Sequence, residues 1–357
     1  MAVLDLQKRT PSELLKSIIG ALVGPSDRPL LPFVPRSIKV FVLFIFFLNR
    51  RSWPLVWHAK VLQYYSRLQL HAFFKARTTT DRRNWLTRIS PVGANPFELV
   101  SIMKSYTGID DLYLDRLSET SIRKSCDQAR GKVESSLLPA LFDDGVFQAL
   151  GSSHCFFIRE IPYRTQYEVR TTIGGWDKKW MYLVHHFVTY PPGSRKSPSI
   201  DVTTSTPLET PEGTRAPPPN IPKSNVKVPL PDDAIVHCIA ISTTCFKAGR
   251  ITVPPAVALI AAGLGEPSEL RWFHVQKLRF SDHQESATSK PIPKNLMKSI
   301  VKGGWKTDEV EGWDRNPDTG VSTFWELGEY EEARQENMKA TFERLQSGLH
   351  NLKEREY

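Results

Sequence analysis

Asp111 and Asp115 stand four residues apart in Asp110-Asp111-Leu-Tyr-Leu-Asp115-Arg116, just ahead of a helix-like stretch from Ser118 to Leu141. A carboxylate in such a place can attack a carbonyl carbon or take a proton from water. The first N–H groups of a helix have no intrahelical acceptors, so they can stabilise negative charge developing on a nearby oxygen. Together the two parts suit attack on an acyl group. Aspartate is also a common loop and capping residue before helices, so both readings of Asp111, and of Asp115 as the second candidate, stand here. Ser118 and Thr120 are the candidate caps.

Other reactive side chains are present without a constellation around them. His154, His185 and His186 fall in strand-like segments. In Leu183-Val-His-His-Phe-Val188 the two histidines point to opposite faces, and each reads as a hydrogen-bonded sheet residue or as part of a ligand site. Cys126 lies in the helix-like stretch, as a buried thiol or a nucleophile. The four cysteines (126, 155, 238, 245) form no CxxC pair, which reads as reduced thiols of an intracellular protein. No His/Cys/Asp cluster has zinc spacing, and there is no glycine-rich phosphate loop and no G-x-S-x-G elbow. The sequence therefore predicts no metal, no cofactor and no serine-hydrolase chemistry.

The elements that must position these groups follow from hydrophobic pattern. Val146–Ile161, Thr165–Ile173 and Lys179–Val188 read as strands, the last nearly all apolar and so covered on both faces. Gly174-Gly175-Trp176-Asp177 reads as the turn between the second and third. Ala234–Arg250 reads as a further long strand, and Glu98–Tyr106 as the strand that opens the domain. Between the strands, Pro191 to Asp233 is rich in Pro, Thr and Ser, an irregular insertion that is either a surface loop or a lid over a binding mouth. Val253–Leu264 reads as an apolar helix. Met338, Phe342, Leu345, Leu349 and Leu352 repeat at 4-3-4-3 spacing on a charged terminal helix, which packs on its own domain or forms a coiled-coil seam. The expected fold class is α+β.

The charge of +9 over 357 residues is uneven. Residues 1–94 hold 15 Lys and Arg against 4 Asp and Glu, and the rest hold 32 against 34. No nucleic-acid motif accompanies the excess, so it points to a partner for one end of the chain and not to a nucleic-acid groove. Within that end, residues 37–48 are almost wholly apolar, with Arg36 before them and Arg50-Arg51 after. As a helix, Ile38–Leu48 would rise roughly 16 Å at about 1.5 Å per residue, against about 30 Å of hydrocarbon. Three readings follow: a helix in the membrane interface held by residues 36–51, a helix packed on the protein's own core, or a tilted span extended upstream through Leu30–Val34. The boundaries expected are a basic region over 1–94, a main domain over 95–265 with the insertion 191–233, and an extension over 266–357.

Several of these segments carry a family resemblance. Phe156-Phe-Ile-Arg-Glu-Ile161, then Tyr167-Glu-Val169, then Gly175-Trp-Asp-Lys-Lys-Trp-Met-Tyr-Leu-Val184 resemble the thioesterase-like hotdog superfamily. The branch is that of thioesterase superfamily member six and its fungal relatives in secondary-metabolite pathways. Asn49-Arg-Arg-Ser-Trp-Pro-Leu-Val-Trp57-His58 and Ser242–Pro254 are similar to further segments of that branch, and the resemblance covers residues 38–70 and 96–263. It implies a single hotdog, one long helix wrapped by an antiparallel sheet, and a homodimer with an acyl site at each interface. It also implies that Asp111 matches the aspartate ahead of the family's helix; Asp115 and Ser118 stand where the family has His and Asn. The function implied is hydrolysis of an acyl or polyketide thioester, carried by coenzyme A (CoA) or a carrier protein, in secondary-metabolite biosynthesis. The alternatives are a non-catalytic membrane-surface hotdog that binds acyl chains or scaffolds other enzymes, and a dehydrating or cyclising hotdog acting on polyketides.

Overall fold

The structure, a computed structural model, describes residues 34–49, 53, 55–108, 111–113, 116–191, 230, 233–280 and 295–355. Most of the 191–233 insertion and residues 30–33 of the upstream extension lie outside them. The chain falls into two compact units, Met1–Trp57 and His58–Tyr357.

In the first unit, helix α1 (Arg36–Leu48) follows Pro35 and ends at Asn49, whose side-chain amide donates to the Ile45 carbonyl. Trp53 folds back on it: the indole Nε1–H donates to the Phe46 carbonyl at 2.7 Å and the rings stack at 4.4 Å. Phe41, Val42 and Phe44 are each more than half exposed. No helix among the described residues is long and apolar enough to cross a membrane.

Helix α2 (Val56–Lys75) starts at the end of the first unit and lies almost wholly in the second; α3 (Thr79–Ile89) follows, capped by Thr78, whose hydroxyl accepts from Asp81 N. Strand β1 (Val100–Tyr106) and a two-residue hairpin, β2 (Leu112–Tyr113) with β3 (Arg116–Leu117), lead into helix α4 (Glu119–Leu137). The helix stops before the Leu141 expected from the pattern because Pro139 cannot continue it and holds the preceding residue out of the helical region. A four-residue helix α5 (Ala140–Asp143) follows. Then come β4 (Phe147–Phe157), β5 (Gln166–Trp176), β6 (Met181–Thr189), β7 (Ile235–Ala248) and the short β8 (Ile251–Val253). The sheet is antiparallel throughout in the order β1-β5-β6-β7-β4, with β8 also on β7. Register shifts at Leu150/Ser152, Ile173/Gly175 and Phe187/Val188 mark bulges, which add local bend and twist.

Alternation along β6 explains why its sequence is apolar on both sides. Phe187 packs with Ile122, Cys126 and Ala129 of α4, and Leu183 with Val133 and Leu137. Val184, pointing the other way, packs with Phe156, Ile239, Ile241 and Leu345. Leu345 belongs to α9 (Glu331–Arg355), so the 4-3-4-3 stripe meets the outer face of its own sheet through the residues described. Full burial of such side chains contributes about 1.5–3 kcal/mol each.

Gly174-Gly175 is not the turn that the sequence suggests. β5 runs on through Trp176, and the turn is made after it by Asp177, whose Oδ1 accepts from Lys179 N and Trp180 N. A Cβ on Gly174 would lie 2.7 Å from Val184 Cγ2 and 2.9 Å from Thr341 Oγ1 of α9. Gly175 has a φ of +137°, and a Cβ there would lie 2.6 Å from Met338 of α9. A glycine inside a strand marks close approach of another element as readily as a turn.

Beyond β8 lie α6 (Pro255–Ala261), where the sequence predicts an apolar helix, α7 (Ser268–Arg279) and a short α8 (Met297–Ile300). Arg279 and Asp144 form a fully buried bidentate pair, with bonds of 2.9 and 2.6 Å, that ties α7 to the end of α5. After β8 the described residues contain no further strand, only an isolated bridge, Arg315↔Ser322.

Candidate functional site

Asp111 sits at the N-terminal end of α4, half-buried, where the chain leaves β1. Gly108 N donates to its Oδ2 at 3.2 Å, and Ser121 Oγ donates to its Oδ1 at 3.2 Å. Its own carbonyl accepts from Ser118 N at 2.9 Å. Ser118, not Thr120, is the cap, its hydroxyl accepting from Ser121 N. The acid and the start of the helix are thus fastened together. A carboxylate oxygen can accept from more than one donor, and the N–H groups at the start of a helix's first turn have no intrahelical acceptor. The same bonds also make Asp111 a loop-fastening residue. Asp115 lies outside the described residues.

Of the three strand histidines, His185 is structural in its contacts. His185 is fully buried on the face toward α4, its Nδ1 paired with Thr171 Oγ1 and its Nε2 with Ser242 Oγ, both at 2.9 Å. Arg130 Nη1 donates to the same Ser242 hydroxyl at 3.1 Å. Burial first, and then the Arg130 charge, push the His185 pKa down to about 3, so the ring is neutral. His154 is exposed on edge strand β4. Cys126 is fully buried and its thiol pKa is raised by that burial. Among the described residues no cluster of His, Cys, Asp or Glu is arranged to hold a metal ion.

Two features were not legible in the sequence. Glu134, toward the C-terminal end of α4, is only 3% exposed. It accepts from Tyr65 Oη and, at 2.6 Å, from Gln148 N. Burial pushes its pKa up to about 7, although the Tyr65 hydroxyl, the Gln148 N–H and Arg130 all pull it down. The second feature is a cleft of about 930 Å³ between α2, α3, β1 and the same end of α4. Gly131 marks where α2 meets α4, but a Cβ there would touch Tyr64 and Val61 O at an ordinary 3.5 Å, so its type gave no sign of either feature.

The helix α4 on one face of a bulged antiparallel sheet agrees with the α+β fold class that the hotdog resemblance implies, while α9 covers part of the other face. Comparison with known proteins agrees at the level of sequence. The chain is 35% identical over 120 residues to Thioesterase poxG of Penicillium oxalicum, which is 34% of this chain and 33% of that protein. It is 34% identical over 119 residues to Probable thioesterase atnL of Emericella nidulans, 33% of this chain and 32% of that one. The matched stretch thus spans about a third of the length of these curated relatives. No protein-family model matches the chain. The 4-hydroxybenzoyl CoA thioesterase of a Pseudomonas strain aligns with a TM-score of 0.31 at 13% identity, over 46% of this chain and 98% of that one, a likeness too slight to carry an argument.

Proposed function

We propose that the protein is a hotdog thioesterase that hydrolyses an acyl or polyketide thioester carried by CoA or a carrier protein, in secondary-metabolite biosynthesis. The observation that carries this reading is the Asp111 carboxylate fastened to the N-terminus of α4; kinship with fungal thioesterases gives the reaction class. The thioester carbonyl lies against the first-turn N–H groups, which stabilise charge on its oxygen. Asp111 takes a proton from a water that attacks the carbonyl carbon, the C–S bond breaks, and that proton passes to the leaving thiolate. Alternatively Asp111 attacks the carbon itself and the thiolate leaves; water then cleaves the acyl–Asp111 anhydride, releasing the acid and the proton that the thiolate takes. The active form is a homodimer. β4 supports this as a sheet-edge strand that exposes Phe147, Leu150 and Phe157. The exposed apolar α1, with its flanking arginines, supports contact of residues 36–51 with a membrane surface inside the cell.

The test is release of free thiol from a panel of acyl-CoAs. Asp111→Ala loses about 10²- to 10⁴-fold in kcat/KM, and Asp115→Ala serves as the comparison for the second acid. Undiminished turnover in Asp111→Ala removes the assignment. Engagement of both Asp111 oxygens by Gly108 N and Ser121 Oγ favours the second reading, a non-catalytic acyl-binding or scaffold protein. Tight acyl binding without turnover across the panel selects it.

A further inference from the structure

The cleft beside α4 is lined by five cations, Arg67, Lys75, Arg88, Lys104 and Lys132, against one acid, Asp81. Lys104 has a loose partner in Glu168 at 3.9 Å, and Lys132 donates to the Ile102 carbonyl. Arg67, Lys75 and Arg88 have no carboxylate partner among the described residues. The rest of the lining combines apolar and aromatic side chains, buried Trp85 and Met103 among them, with Asn84, Ser135 and Ser136. Trp85 lies near-parallel to exposed His71, with ring centroids 5.8 Å apart, and its indole Nε1–H has no acceptor. A concave site lined by cations and aromatic rings suits a ligand that joins a phosphate to an organic body.

We propose that this cleft binds the phosphate groups of the molecule that carries the thioester, the phosphorylated end of a pantetheine arm. The inference rests on the thioesterase reading and adds a second site to it. Placement agrees: Ser121, which touches Asp111, and Lys132, on the cleft, are eleven residues apart on α4, roughly 16 Å at about 1.5 Å per residue. In phosphopantetheine the phosphate and the sulfur lie at opposite ends of an extended arm. With its phosphates in the cleft, such an arm has its thioester end directed away from the cations.

The test is calorimetric titration of the full chain with CoA, 4′-phosphopantetheine and phosphate-free pantetheine, for the wild type and for Arg67→Glu/Arg88→Glu. Both arginines are exposed, and an unchanged Tm confirms that the variant folds. The expected result is CoA binding weakened by about tenfold or more in the variant, with pantetheine weak and equal for both proteins. 4′-Phosphopantetheine matching CoA would make a carrier protein's arm the source; tighter CoA would make it free CoA. Equal CoA affinity in the two proteins, no CoA binding by the wild type, or pantetheine binding as tightly as CoA overturns the proposal. Kinetics separate it from the reading beneath it. The variant raises KM for an acyl-CoA but not for the phosphate-free acyl N-acetylcysteamine thioester. A wild type that hydrolyses neither thioester contradicts the thioesterase reading, while the titration still decides the cleft.

Discussion

Asp111 and Glu134 are both carboxylates held by hydrogen bonds against the same helix, yet their surroundings differ in the respects that set reactivity. Asp111 is half-buried at the end where helix N–H groups collect, and its partners are a loop N–H and a serine hydroxyl. Glu134 is enclosed between α2, α4 and the start of β4, and burial moves its pKa to about 7. A raised pKa is often taken as the mark of a catalytic acid. Here it marks the carboxylate that is walled in by Tyr65 and Gln148, while the acid that meets the carbonyl group in the proposed reading is the other one. Access and nearby donors separate the two roles.

The largest effect that sharpens this contrast is one of pH. Folded Glu134 holds its proton up to about pH 7 against an ordinary 4.5, so folding takes up a proton between those values and stability falls as pH rises through them. The cost above pH 7 is at most about 3 kcal/mol. Buried His185 and His237, with pKa values pushed down to about 3 and 4 mainly by burial, act in the opposite sense. The unfolded chain protonates them first, and stability is lost as pH falls below about 6.5. Glu134→Gln therefore isolates the acid. The difference in unfolding free energy between variant and wild type grows in the variant's favour from pH 4.5 to above 7. A flat difference means that Glu134 is solvated.

At the other end of α4, Ser118→Ala removes the cap from Ser121 N and costs about 1 kcal/mol of stability, read from denaturant midpoints. No loss there would separate Asp111 from the helix terminus on which its proposed role depends. The smallest effect is at Gly131. Since a Cβ meets its neighbours at ordinary contact distance, Gly131→Ala leaves stability unchanged or raises it by up to about 1 kcal/mol through helix propensity. A marked loss would show α2 packed more tightly on α4 than these distances allow.

How much of this was readable in the sequence depended on the range of the forces involved. The run Met181–Val188 announced a strand buried on both faces, and α4 and α9 provide those two covers. Asp111 ahead of a capped helix was legible because a cap and its helix lie within a few residues of each other. Glu134 was not, because its burial comes from Tyr65, 69 positions away, docking across a glycine. Gly174-Gly175 misled for a related reason. A glycine pair looks the same whether it turns the chain or admits a helix from more than 150 residues downstream, as Thr341 and Met338 do here.

The most direct test of the account sets Asp111→Asn beside Glu134→Gln on a single acyl-CoA substrate that the wild type hydrolyses. The account predicts that kcat/KM falls by about 100-fold or more in the first, with Tm kept within a few degrees, and changes by less than about threefold in the second. The reverse pattern, an active Asp111→Asn and an inactive but folded Glu134→Gln, would contradict it and move the chemistry to the buried end of the helix.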